Sequence, residues 1–426
     1  MKKQVILLLF LATQWMSCQE EQSKATNQAF KGEELQEDLM QVFEKNQLMG
    51  MSILVMEQGK IVWEGSFGLA DSSRQILVSA ETIYRVASIS KFVTAAALMQ
   101  LWEQGKVDLD ADVSQYLGWP LQHPKFPEDT ITLRLLMNHR SGIRDGSGYG
   151  KFSRNMISQK LNIKELFLPE GAYFTEDLFS KEAPGEYFSY TNCTWGVIAS
   201  IIEKVSGERF DQYCRRHIFE PMDMDASFNV LDIQDFDRLA VLYRYKDSTW
   251  VAQADDYKGT TPPSRAFESY QLGQNGLIFG PQGSLRSSAN DLATFGFMIM
   301  NGGQHQDQQI LTKESVNLMS ADHWTYEEGN GDTWSDFFLS YGLGIHRLTN
   351  RDSADIIFPD RKMLGHPGIA YGLLSDLYFD PESQSGIVFI TNGSQQEFGY
   401  GKNTSFYQVE EDIFEATFPY LKKLEE

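Results

Sequence analysis

Cysteine is almost missing from this chain, with three residues among 426, so neither a disulfide framework nor a cysteine-bound zinc site can organise the fold. The seven histidines form no His-Glu-x-x-His or His-x-His spacing, and no metal site and no cofactor are expected. Basic residues are also in short supply. Against 58 acidic side chains stand 37 lysines and arginines, giving a net charge of −21 that disfavours nucleic acid and anionic bilayers as partners. The acidic residues are scattered, which reads as a solvated surface. No internal repeat or low-complexity block is present, and the only long apolar run, Val5 to Thr13, is too short to span a bilayer.

What is present is ample core material, since 42% of the residues are hydrophobic. The run Val5 to Thr13 follows Lys2-Lys3 and precedes Met16-Ser17-Cys18, the layout of a secretory signal over residues 1–17. Cys18 resembles the acylated first residue of a bacterial lipoprotein, the alternative being an incidental cysteine near an ordinary signal cleavage site, and residues 18–30, with Gln19-Glu20-Glu21-Gln22, read as a flexible tether. The expected location is therefore the cell envelope, with membrane contact only through a lipid anchor. Cys193 and Cys214 each fall in a helical segment and are expected to be buried free thiols, the alternative in an oxidising compartment being a disulfide between them.

The chemistry starts at Ser88-Ile89-Ser90-Lys91. Phe92 to Gln104 has the pattern of a helix ended by Gly105, so Ser88 and Lys91 share one face of its first turn. A hydroxyl beside an amine makes a nucleophile, and the free N–H groups of that turn stabilise negative charge on the oxygen. The plainer alternative for the same four residues is a helix cap followed by a solvated lysine. Two further segments bear on the choice. Ser189-Tyr190-Thr191-Asn192 sets a phenol and an amide two residues apart before a helix through Trp195 to Ile202. Gly365-His366-Pro367-Gly368-Ile369 precedes two strands, Leu373 to Phe379 and Gly386 to Ile390, and its glycines allow close approach of a substrate to the backbone.

Together these three elements resemble the serine beta-lactamase and penicillin-binding-protein superfamily, in its class C beta-lactamase and D-alanyl-D-alanine carboxypeptidase-like branch. Gly68-Leu69-Ala70-Asp71, Leu135-Leu136-Met137-Asn138-His139-Arg140-Ser141-Gly142, Gly283 to Leu292 and Thr391-Asn392-Gly393 extend the likeness over most of the chain. The resemblance implies an α+β fold, an antiparallel sheet flanked by helices with an inserted all-helical domain and the active site in the cleft between. On that reading residues 31–86 and 266–426 form the α/β part and residues 87–265 the helical part.

The resemblance also implies roles. Ser88 is the nucleophile of an acyl-enzyme, Lys91 and Tyr190 move its proton, and Tyr190 protonates the leaving group and activates the deacylating water. Asn192 binds the substrate amide and positions Lys91. The backbone N–H groups of Ser88 and Ile369 hold the oxyanion, while His366 and Gly368 contact substrate. A lysine near a phenol is expected to lower the tyrosine pKa. His366 and Pro367 stand where beta-lactamases carry lysine and threonine, which weakens carboxylate binding, and Arg286 is a candidate replacement. His139 is expected to make a structural hydrogen bond.

From pattern alone the chain opens with strands, including a hairpin about Gln58-Gly59. Strand-like runs return at Leu277-Ile278-Phe279, Gly342 to Ile345 and Leu373 onward, so early and late strands are expected in one sheet. Residues 144–183 read either as a lid or as a surface insertion of short helices. The expected function is an exported serine hydrolase acting on an ester or amide of a small molecule or peptide, with D-amino-acid peptides and esters as the substrate classes. The alternatives are a beta-lactamase and a penicillin-recognising envelope lipoprotein with little turnover.

Overall fold

A computed structural model describes residues 32–425, except 158–159, 263–266, 268–269 and 352–353. The signal, Cys18 and the tether thus lie outside the described residues, as does the 265/266 boundary between the two parts.

Helix α1 (32–45) leads into β1 (Gly50–Glu57) and β2 (Lys60–Asp71). Gln58 and Gly59 both have positive φ, 50° and 71°, as a two-residue turn with the twist of a hairpin requires. A short β3 (Ile76–Leu77) follows, then α2 (Ile89–Glu103), α3 (Cys193–Ser206) and α4 (Ala289–Met300). The last part of the chain supplies β4 (Trp324–Thr325), β5 (Ser340–Tyr341), β6 (His346–Arg347), β7 (Leu364–Ala370), β8 (Leu373–Asp380), β9 (Ser385–Thr391) and α5 (Gln408–Glu425).

These strands make one nine-stranded sheet in the order β4-β5-β6-β7-β8-β9-β1-β2-β3, so that β1 lies between β9 and β2 and the early and late strands do join. Every pairing in it is antiparallel. β1, β8 and β9 are buried at every position, which is why they read as near-continuous apolar runs. One face packs on α2 and α4 through Phe92, Phe295, Leu377 and Phe379; the other packs on α1 and α5 through Leu39, Ile53, Ile387 and Ile413. The first of these cores runs on without a break into the helices between residues 89 and 222.

Two apolar runs depart from expectation. Leu277-Ile278-Phe279 is a buried 3₁₀ turn, Gly276–Phe279, packed against α3 rather than a strand. A Cβ on Gly276 would stand 2.6 Å from the Ser200 nitrogen, so the run is held too close to α3 for a sheet neighbour. Gly342 to Ile345 is the turn joining β5 to β6. Residues 87–265 also contain a hairpin, Leu242–Lys246 with Thr249–Ala254, beside their helices. The described residues of segment 144–183 include short helices whose Phe152, Leu166 and Phe167, with Ile163, enter the main core. Cys193 and Cys214 are both buried and free.

Under the sheet, Asp376 of β8 meets Glu410 of α5; burial raises both carboxyl pKa values and Glu410 pushes that of Asp376 up further, whereas Asp376 pulls that of Glu410 back down through a hydrogen bond. For Glu410 burial is the larger cause and the pKa reaches about 7. A folded-state pKa raised above the unfolded value means stability that is present in full below the unfolded pKa and lost as pH rises through the folded one. Denaturant unfolding between pH 4.5 and 7 is therefore expected to show falling stability, by about 2–3 kcal/mol from this group. Glu410→Gln should flatten that slope; an unchanged slope would remove Glu410 as its source.

Candidate active site

Ser88 and Asn192 both occupy N-cap positions, on α2 and α3, and neither side chain caps its helix. The plainer reading of Ser-x-x-Lys as a cap is thereby excluded. The Ser88 hydroxyl lies instead 3.0 Å from Lys91 Nζ, which donates also to Asn192 Oδ1 at 2.7 Å and to the Gln282 carbonyl at 2.9 Å. Ala87, just before the serine, has φ of 46°, a left-handed conformation costing a non-glycine residue roughly 1 kcal/mol. It turns the chain sharply from the end of the strand Ile83–Arg85 into α2.

Lys91 is fully buried, and burial lowers its pKa to about 7 against a weaker opposing effect of Asp145. The consequence for hydrogen bonding is specific. Asn192 Oδ1 and the Gln282 carbonyl can only accept, so a neutral amine must give its two N–H groups to them and turn its lone pair to Ser88 Oγ. The Asn192 orientation is set by Asp145, which takes Asn192 Nδ2 at 2.7 Å. Asp145 also accepts from the backbone N–H groups of Asn192 at 3.0 Å and Cys193 at 2.9 Å, supplying the cap that α3 lacks from its own residues.

Tyr190 departs from its expected electrostatics. Its pKa is raised, chiefly by burial and further by Asp145, while the Ser88 side chain pulls in the opposite direction. Lys91 Nζ sits over the Tyr190 ring, 4.8 Å from its centroid, and burial is the largest influence on the phenol. The ring is held between His139, at 4.5 Å, and Phe338, at 5.0 Å, with Trp334 on its edge. His139 makes the structural bond expected of it, its Nδ1 accepting from the Thr191 N–H at 3.1 Å. That bond fixes the residue between Tyr190 and Asn192.

His366 is buried, with both ring nitrogens engaged. Nδ1 lies 2.6 Å from the Pro367 carbonyl, which can only accept and so fixes the proton there. Nε2 then accepts from the Tyr341 hydroxyl at 2.8 Å. Burial first, then Lys91, drive its pKa well down, so the imidazole is neutral. Neither nitrogen is left for a substrate, which corrects the expectation of a direct contact. Gly368 is where β7 passes the start of α2: a Cβ there would be 2.3 Å from Ser375 Oγ, 2.5 Å from the Val86 carbonyl and 3.2 Å from the Ser88 nitrogen. The next residue, Ile369, is 43% exposed and sits beyond the point where β6 stops pairing with β7, so it borders an open strand edge. Arg286, the candidate carboxylate anchor, is sealed in a buried ion pair with Asp255 at 2.6 Å and cannot serve.

Asp145, the Gln282 carbonyl and Tyr341 were not singled out in the sequence. Asp145-Gly146-Ser147 before a short helix and Gly280-Pro281-Gln282-Gly283 carry turn signals, but no local pattern tells which distant group a turn will meet.

The model of the Beta-lactamase family matches residues 33–406. The chain belongs to that family. Among curated relatives, the mitochondrial serine beta-lactamase-like protein LACTB of Mus musculus is 42% identical over 413 residues, covering 78% of this chain and 69% of that protein. Penicillin-binding protein 4* of Bacillus subtilis is 30% identical over 188 residues, 43% of this chain and 38% of its own length. The matched stretch thus spans about two fifths of that bacterial relative. Of solved structures, EstCE1, described as a hydrolase with promiscuous acyltransferase activity, aligns with a TM-score of 0.67 at 18% identity over 92% of this chain and all of that one. The D-amino acid amidase of Ochrobactrum anthropi aligns at 0.64 and 19% identity over 93% and 99%. At such identities the Beta-lactamase fold is what the two structures share with this chain.

Proposed function

We propose that the chain is a serine hydrolase that opens esters or amides through an acyl-enzyme on Ser88, with small acyl esters and D-amino-acid amides or peptides as its substrate classes. The observation that carries this reading is the Lys91 environment, in which two obligate acceptors leave the amine's lone pair for the Ser88 hydroxyl.

Lys91 takes the Ser88 proton as Oγ bonds to the substrate carbonyl carbon. The backbone N–H groups of Ser88 and Ile369 hold the oxyanion, each such donor being worth about 3 kcal/mol in the transition state. Tyr190, kept protonated by burial, gives its proton to the leaving group as the bond to the carbonyl carbon breaks. The acyl-enzyme then stands beside an ammonium and a phenolate. Tyr190 takes a proton from the incoming water, Lys91 returns its proton to Ser88 Oγ, and both groups end as they began. Asn192 and Asp145 hold Lys91, and Asn192 is the amide group offered to substrate. The likeness to a hydrolase with promiscuous acyltransferase activity and to a D-amino acid amidase supports a reading of acyl transfer to water.

The test is turnover of short acyl nitrophenyl esters, a D-alanyl-D-alanine peptide and a chromogenic cephalosporin, with intact-mass detection of an adduct. The short esters should be turned over faster than the cephalosporin, because neither His366 nor Arg286 can hold a carboxylate. A stable adduct without turnover of any of them would reject the hydrolase reading in favour of a penicillin-recognising protein. The pH profile follows from Lys91. Its neutral form is the base, so kcat/KM is expected to rise with pH through about 7 and to hold its plateau up to the ordinary tyrosine range, since the Tyr190 pKa lies above it. A rate that falls as pH climbs from 6 to 8 would exclude Lys91 as base.

A further inference from the structure

The loss of every expected carboxylate anchor raises the question of where a charged substrate group would go. A cavity of about 490 Å³ opens at the far end of the reactive strand, past Ile369, between the turn Tyr371-Gly372, the hairpin at Tyr243 to Lys246 and the segment around Glu397. It shares Ile369 with the site and so adjoins the end of the strand along which a substrate would lie.

Two cations line this cavity. Arg244 and Lys246 are two apart on one strand and therefore project from the same face. Among the described residues neither side chain has a hydrogen bond or an ion pair. Among the described residues Glu397 is the only acidic one lining the cavity, leaving an excess of one positive charge in a chain whose net charge is −21.

The hairpin that carries them is fixed in place. Asn392 Nδ2 donates to the carbonyls of Leu69, Ala70 and Val241 at its root, and the Tyr243 N–H donates to the Asn392 carbonyl at 2.8 Å. At the turn, a Cβ on Gly372 would stand 1.9 Å from the Tyr243 carbonyl, so the strand carrying Arg244 lies hard against the end of β7. Tyr371 is itself held, its ring 4.9 Å from the Arg85 guanidinium.

The direction of the substrate decides which part enters. Tyr190, the proton donor to the leaving group, lies with its ring 6.1 Å from His366, toward the start of β7. The leaving group belongs at that end and the acyl portion at the other. We infer that the cavity bounded by Arg244, Lys246 and Tyr371 is an acyl-side subsite for an anionic group, so that the preferred acyl chains end in a carboxylate. This rests on the hydrolase reading and adds to it the class of acyl group.

The experiment compares mono-para-nitrophenyl adipate with para-nitrophenyl hexanoate, chains of equal length with and without a terminal carboxylate. For the wild-type chain kcat/KM should favour the adipate, and in the double variant Arg244→Gln/Lys246→Gln that ratio should fall about tenfold, the effect of losing a charge-assisted contact. Raising salt to roughly 0.5 M should lower the wild-type ratio in the same direction. A ratio that does not move in the double variant overturns the inference. Calorimetric titration of adipate into Ser88→Ala, with and without the two substitutions, separates the two readings. Binding weakened at least fivefold by the substitutions keeps the subsite even if neither ester is hydrolysed; absent or unaltered binding rejects the subsite while leaving hydrolysis of the hexanoate to decide the function.

Discussion

Ser88→Ala is expected to end acyl-enzyme turnover of every ester and amide, leaving only a small residual acceleration over water, and to end labelling by a fluorophosphonate, while the protein stays folded. The reasons are local. Ser88 makes no cap bond to α2, so removing its hydroxyl takes nothing from the helix, and the change leaves backbone, burial and the turn at Ala87 as they were. The other hydroxyl of the motif, Ser90, cannot substitute. It donates to the Ala87 carbonyl at 2.6 Å and accepts from the Leu285 N–H at 2.9 Å, which commits it to packing β-strand and helix together. Losing the nucleophile while keeping the oxyanion donors typically leaves a residual acceleration over water, but no covalent intermediate. Intact-mass measurement after exposure to a slow ester decides the matter: an acyl adduct on the variant would place the nucleophile elsewhere. Melting at an unchanged temperature would show that the loss is chemical.

Much of this site was legible because its motifs coincide with helix starts. The apolar pattern after Lys91 and after Asn192 places two helices, and a hydroxyl or amide at the head of each is readable from spacing alone. What could not be read is how far each end group is diverted from its local role. Asn192 turns from its helix to Lys91 because Asp145, 47 residues earlier, takes over the cap. His366 was read as a substrate contact since its position in the motif is plain, whereas its burial depends on Tyr341 across the sheet, 25 residues away. The glycine-rich segment around it was placed before the strands and is itself β7. Pro367 argues against a central strand, having no N–H to give, and is tolerated here because pairing with β6 ends at Gly365. The tyrosine pKa went the wrong way for a similar reason. Proximity of Lys91 was correctly anticipated, but its approach over the ring face, with burial as the larger effect, was beyond any one-dimensional spacing.

Lys91→Met and Tyr190→Phe are each expected to lower kcat for acylation by about a thousandfold or more, and the double variant to be little worse than either alone. Lys91 is the one amine within hydrogen-bond reach of Ser88 Oγ among the described residues, at 3.0 Å, so without it the attacking hydroxyl keeps its proton. Methionine is chosen because Lys91 is fully buried and an apolar chain of similar length fills its place, although Asn192 Oδ1 and the Gln282 carbonyl each lose a donor. Some loss of stability is therefore expected, about 1–3 kcal/mol, and rates must be compared on protein shown to be folded. Phenylalanine at 190 preserves the stacking on His139 and Phe338 and removes only the acid. The two effects overlap because the cycle needs both groups: a base that takes the serine proton is useless if the leaving group departs unprotonated, and the reverse holds equally. The pH profile provides an independent mark. In Tyr190→Phe the rise through about 7 should persist at reduced height, since it belongs to Lys91, whereas in Lys91→Met it should vanish. Additive losses, or a profile in Lys91→Met that still rises near neutrality, would show that Ser88 is activated by some other group and would return the choice of base to Tyr190.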